Sequence, residues 1–161
     1  MSNPIRPCCG LPIWISGIPA FRIWWRCSAK WPALAINYTT KTQYLFRINK
    51  GSLSVHEPGL INDFVPHEDR PMPFTNIVFI GDGETDIPCM RLVRDQGGHS
   101  IAVYQPGSSK KKARAEKLIT DKRADFIAPA DYSEGGRLDE IIGAIIEKIA
   151  ANNQVRTMMR E

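Results

Sequence analysis

The sequence predicts an α/β fold, a Rossmann-like parallel sheet with flanking helices, on three observations. Ile77-Val78-Phe79-Ile80 is a short run of β-branched and aromatic residues with no polar position to mark a solvent face, as expected of a strand buried on both sides of a parallel sheet. Strand-like and helix-like patterns then alternate to the end of the chain, the spacing of βαβ units. The central run closes in Gly81-Asp82-Gly83-Glu84-Thr85-Asp86, an acidic turn at the carboxyl end of a strand, where open α/β sheets bind their ligands.

The elements justify themselves in order. Residues 1–30 form an irregular arm that follows neither a 3.6 nor a 2 period. All four Trp and three of the four Cys fall within the first 31 positions, and the composition break is that of a sticky arm or of non-native coding sequence. Residues 31–152 carry the regular pattern. Pro32 to Asn37 reads as a short strand, and Thr39 or Thr40 caps a helix that runs through Ile48 to a Gly51 stop. Residues 52–73 are a polar connection with a short helix around Pro66 to Arg70; His56 and His67 lie on it as surface residues. After the central strand come a helix over Ile87 to Asp95, a strand over Ser100 to Tyr104, a helix over Lys110 to Ile119 and a strand over Ala124 to Ala128. A final helix from Gly136 to Asn152 shows an apolar stripe of Leu138, Ile141, Ile142, Ile145, Ile146 and Ile149. Residues 153–161 are expected to be a disordered tail.

Composition narrows the function classes. The chain has 161 residues, one domain's worth, with a net charge of +4. That charge is unevenly placed: no Asp or Glu precedes Glu57, whereas seven Lys and Arg do, and the remainder carries 14 basic against 17 acidic residues. A nucleic-acid partner is not expected, and Gly107 to Lys112 lacks both the G-K-[ST] ending of a phosphate loop and the interleaved aromatics of a nucleic-acid surface. The cysteines show no C-x-x-C or zinc spacing, which points to a reducing, cytoplasmic setting. The apolar segment Leu11 to Trp25 is interrupted by Pro12, Pro19 and Arg22, so no membrane span is expected.

The acidic turn carries the chemistry. Asp82 and Asp86, four positions apart and flanked by glycines, suit a hard cation with oxygen ligands, magnesium being the natural candidate. An EF-hand is a poor fit: Asp82, Glu84 and Asp86 alternate correctly, but Ile87 stands where that loop needs glycine. Lys41 falls in the first turn of its helix, where the dipole favours anions; a lysine there is either solvated or aimed at a phosphate that the same helix end attracts.

These features together resemble the haloacid dehalogenase superfamily of hydrolases, and within it the phosphoserine-phosphatase-like phosphatases. The resemblance rests on Asn37 to Gln43, on Gly81 to Asp86 with the following Ile87-Pro88-Cys89-Met90, and on Ser100 to Tyr104. It implies that Lys41 is the third-motif lysine, which steadies the nucleophilic carboxylate and the transferring phosphoryl oxygens. It implies that Asp82 is a magnesium ligand, that Asp86 supports the metal's water shell, and that Gly83 and Thr85 lie at the phosphoryl group. A small phosphorylated substrate, hydrolysed through an aspartyl-phosphate, is the corresponding expectation for a full-length member.

The chain departs from this pattern at the decisive place. The first motif, D-x-D-x-[TV], supplies the attacking carboxylate and the general acid and base, and no such sequence occurs among the 161 residues. The resemblance therefore implies an incomplete sheet that lacks the nucleophile-bearing first strand. The chain is read as the carboxyl-terminal portion of a magnesium-dependent phosphatase, inactive alone; the alternative is a non-catalytic metal- or phosphate-binding or protein-interaction module. An edge left open beside Ile77 to Ile80 predicts self-association or a companion fragment.

Overall fold

The computed structural model describes residues 13–15, 37–52 and 59–159. Three parallel strands form the body of the sheet: β2 (Ile77–Gly81), β3 (His99–Tyr104) and β4 (Phe126–Pro129). Val78 to Gly81 pair with His99 to Ala102, and Ile101 to Tyr104 pair with Phe126 to Pro129. A three-residue strand, β1 (Ile13–Ile15), lies antiparallel on the other side of β2, setting Ile13 opposite Phe79 and Ile15 opposite Ile77. The sheet order is thus β1-β2-β3-β4.

Every residue of β2 is buried, as its unbroken apolar run predicts, and its side chains alternate between two cores. Ile77 and Phe79 join the core shared with the helices α1 (Tyr38–Lys50), α3 (Ile87–Asp95) and α4 (Ser109–Thr120), through Leu45, Met90, Val93 and Ala115. Val78 and Ile80 face α5 (Arg137–Met158), packing with Ile101, Val103, Leu138, Ile141, Ile145 and Ile149. Helices therefore cover both faces, the layering that parallel strands require. Among the described residues no helix is long and apolar enough to cross a membrane.

Several expectations are refined. Asn37, rather than Thr39 or Thr40, caps α1: its side chain accepts from the amides of Thr39 and Thr40, and the Thr40 hydroxyl accepts from the Asn37 amide. The amide side chain of Asn37 has the shorter reach back to these orphan donors, and Thr40 completes a reciprocal box. Gly51 ends the helix at φ 72°, the left-handed conformation that favours glycine. In the connection, α2 (Gly59–Asn62) is an added short helix, and a 3-10 turn occupies His67–Asp69. The last strand begins two residues later than its pattern indicated, because Ala124 packs in the core ahead of it while Asp125 turns back to Ser100.

The stretch expected to be a disordered tail is helical as far as Met158. No glycine or proline interrupts residues 137–158 other than Gly143, so the backbone ladder continues after the buried stripe has ended at Ile149. At about 1.5 Å per residue this helix is some 33 Å long, well beyond the reach of the strands beneath it, and Val155 and Met158 are exposed. The edge of β2 is not left wholly open: β1 takes up Ile77 to Phe79, leaving Ile80 and Gly81 beyond its register. The rest of the arm, the strand expected at Pro32 to Asn37 apart from Asn37 itself, and His56 lie outside the described residues.

Candidate functional site

The carboxyl end of β2 is where the fold gathers its polar groups. Gly81 ends the strand, Asp82 and Gly83 turn the chain, and Glu84–Asp86 forms a single 3-10 turn that runs directly into α3. Gly81 is required here by contact rather than by backbone angle. A Cβ at this position would lie 2.6 Å from Asp86 Cβ and 2.7 Å from Met90 Cε, so any side chain would expel Asp86 from its place.

Asp86 is the hub. Its side chain is 3% exposed, and its Oδ1 accepts a hydrogen bond from Lys41 Nζ at 2.6 Å. Its Oδ2 accepts from the backbone amides of Asp82 and Gly83, each at 3.3 Å, so the carboxylate pins the turn it closes. The Lys41 amine also donates to Thr85 Oγ1 at 3.2 Å. The ammonium has three N–H donors, and these two bonds use two of them; its side chain is 17% exposed. One cation, one hydroxyl and one carboxylate are thereby held together across more than forty residues of sequence.

Glu84 reaches in another direction and forms an ion pair with Arg114 of α4. The three side chains of one 3-10 turn thus tie it to α1 and to α4 as well as to itself. Beneath it lies Cys89, fully buried, whose thiol is pushed up to about 11 by burial, with the neighbouring Asp86 adding to the effect and Lys41 opposing it. Neither Arg114 nor Cys89 is a site candidate from the sequence: Arg114 follows a run of lysines, and Cys89 counts there only as part of the stretch after the acidic turn.

Of the sequence-derived candidates, Lys41, Thr85 and Asp86 are brought into direct contact. Gly83 is present in the turn, but its amide is directed to Asp86 Oδ2 rather than outward. Asp82 is exposed at the mouth. For magnesium this is an incomplete set. Both oxygens of Asp86 are engaged, and Asp82 is the open carboxylate of the turn, whereas Mg²⁺ takes six oxygens in near-octahedral order and needs water, substrate oxygens or further carboxylates to supply them. Among the described residues no group of three or more His, Cys, Asp and Glu is placed to hold a metal ion. Within the described residues the arrangement is a lysine–carboxylate pair with a hydroxyl beside it, closing a glycine-flanked turn.

Comparison with known proteins adds one relative. A protein of Borreliella burgdorferi, described only as an uncharacterized protein, is 35% identical over 117 residues, which take in 71% of this chain and 37% of that protein. The chain spans little more than a third of the length of the relative it matches. No known protein family matches the sequence. No solved structure matches it either.

Proposed function

We propose that this chain is the carboxyl-terminal portion of a magnesium-dependent phosphatase of the haloacid dehalogenase type, retaining the phosphoryl-binding half of the site and lacking the group that attacks phosphorus. The single observation that carries the reading is the contact of Lys41 with Thr85 and Asp86 at the carboxyl end of a buried parallel strand. A lysine at a helix start and an acidic turn, more than forty residues apart in sequence, are in contact at the carboxyl end of a parallel strand, the end at which open α/β sheets bind ligands.

The roles follow from charge. Phosphoryl transfer spreads negative charge over the transferring oxygens, and catalysis consists mainly of positioning and electrostatic stabilisation. Lys41 offers its third N–H to a phosphoryl oxygen, and Thr85 offers the hydroxyl proton while its oxygen accepts from Lys41. Asp86 holds the amine in place and keeps the turn closed. Magnesium, when bound, would neutralise phosphate charge, with Asp82 as this chain's ligand and the remaining carboxylate contributed by the portion that bears D-x-D-x-[TV]. The partial coverage of the longer relative agrees with a chain that represents one part of a larger protein.

The engagement of both Asp86 oxygens favours a second reading, a non-catalytic module that binds phosphate through Lys41 and Thr85. One experiment separates the two. With p-nitrophenyl phosphate and magnesium the chain alone should show no turnover, and adding a polypeptide that carries the D-x-D-x-[TV] strand should restore it, in a manner abolished by Lys41→Ala. Phosphate binding lost in Lys41→Ala without any restored turnover supports the module. Turnover by the chain alone that Asp82→Ala abolishes overturns both, because a nucleophile would then lie within these residues.

A further inference from the structure

We propose that His99 and Lys148 bind a small carboxylate with an apolar body, an aryl- or alkyl-carboxylic acid, in the hollow between α5 and the start of β4. The hollow opens at the amino-terminal end of the strands, away from the Lys41 site at their carboxyl end.

His99 opens β3 and, two residues before Ile101, falls on the sheet face that α5 covers. It is 6% exposed, yet its imidazole makes no hydrogen bond with a described residue. A buried polar ring ordinarily has such a partner. Asp125, whose charge reaches the ring, spends its oxygens on Ser100 and Arg94 instead. The ring nitrogens are not sealed in apolar packing either: among the described residues only Ser52 Oγ is both inaccessible and without a partner. The ring lines the wall of a hollow of about 310 Å³.

Lys148 lines the same hollow and holds no ion pair with a described residue. Its neighbours one turn away along the helix are Ala144, Ile145, Ala151 and Asn152, none of them an acid, and Glu140 of the same hollow is paired with Arg137. An ammonium and an imidazole therefore meet at one place with no carboxylate of the described residues to pair with them, and that combination suits an anion. Burial and Lys148 hold the ring neutral, so it meets the anion as a single N–H donor.

The remaining wall decides what the anion is attached to. Phe126, 37% exposed, and Ile141, Ala144 and Ile145 line the hollow beside the two donors. A mostly apolar wall with a few polar groups is the usual form of a small-molecule site, and this volume is at the lower end of the usual range. An inorganic anion would leave that wall unused, whereas an aryl or alkyl group covers it.

The test is an NMR titration of the full chain with 3-phenylpropionate at pH 7, following the imidazole Cε1–H signal that His99→Gln removes. Should that variant fail to fold, His56→Gln and His67→Gln identify the signal by elimination. The expected result is a saturable shift, with the pH midpoint of the signal moved upward in the bound state because a carboxylate beside the ring favours imidazolium. The other charged groups bearing on that titration are Lys148, Arg137 and Glu140 of α5 and Asp125 ahead of β4. Lys148→Gln should weaken binding about tenfold or more. Ala144→Leu, at an exposed helical position, should fill the hollow and abolish binding. No saturable shift at millimolar ligand, binding unaltered by either substitution, or equal binding of inorganic phosphate overturns the proposal.

Discussion

Lys41 Nζ lies 2.6 Å from Asp86 Oδ1, joining the first turn of α1 to the turn that follows β2 across 45 positions of sequence. The pair is largely withdrawn from water, and each partner is positioned by a different element, so it fixes how α1 sits on the sheet.

Breaking this pair from either side should be costly, because the surviving charge stays in a poorly solvated place. Lys41→Met and Asp86→Asn are each expected to lower unfolding free energy by about 2–4 kcal/mol. The double variant should lose less than the sum of the two, since the same interaction is removed in both. Urea denaturation of the three variants measures the coupling, and strict additivity would show that the contact contributes nothing.

The two glycines of the acidic turn should respond differently to the same change. Gly81→Ala drives a methyl to 2.6 Å from Asp86 Cβ and is expected to cost on the order of 1–3 kcal/mol and to weaken phosphate binding. Gly83→Ala meets nothing closer than 3.6 Å and its φ of −118° suits any residue, so stability should change by less than about 1 kcal/mol. Thermal melts and phosphate titration of both variants make the comparison.

Cys89 should behave as an inert thiol in the folded chain. Its value is raised from 9.0 to about 11, chiefly by burial, so the neutral thiol is favoured by folding. That contribution is complete below the ordinary value and is lost as pH rises through it toward 11. A disulfide-exchange reagent at pH 8 should label Cys89 only as fast as the chain unfolds, and urea should accelerate the labelling sharply.

His99 predicts the acid side of the stability profile. It is buried at the start of β3, and its imidazole is held below the ordinary 6.5 by burial and by Lys148, with Asp125 partly opposing them. Folding favours the neutral ring, so this contribution is full at pH above the ordinary value and is lost as pH falls through 6.5 toward the lowered value. Unfolding free energy measured between pH 7.5 and 5 should decline in the wild type and decline less in His99→Gln.

At the opposite, amino-terminal end of the strands Asp125 joins three elements. Its Oδ2 accepts from the amide and hydroxyl of Ser100 at 2.9 and 3.0 Å, and its Oδ1 accepts from Arg94 Nε at 3.0 Å. Ser100 is fully buried, so Asp125→Ala leaves two donors there unsatisfied and should destabilise by about 2–3 kcal/mol. Chemical denaturation checks this, and a loss under 0.5 kcal/mol would mean that water replaces the carboxylate.

Much of the architecture could be read from the order of residues alone, for local reasons. The unbroken run Ile77 to Ile80 admits no solvent face, Gly51 lacks the Cβ that makes a left-handed angle costly, and the stripe from Leu138 to Ile149 has a single orientation on a sheet. Lys41 and Asp86 were conspicuous as a cation at a helix start and an acid in a glycine-flanked turn, whereas Thr85 entered only through the family resemblance. Tertiary structure alone decided what these groups do to one another. That Asp86 spends both oxygens on Lys41 and on the amides of Asp82 and Gly83, that Glu84 turns away to Arg114, and that Phe126 stands at an open edge are consequences of which elements are neighbours. Sequence carries periodicity and backbone preference over a few residues, whereas contacts across 45 positions exist only once the two cores have closed around the sheet.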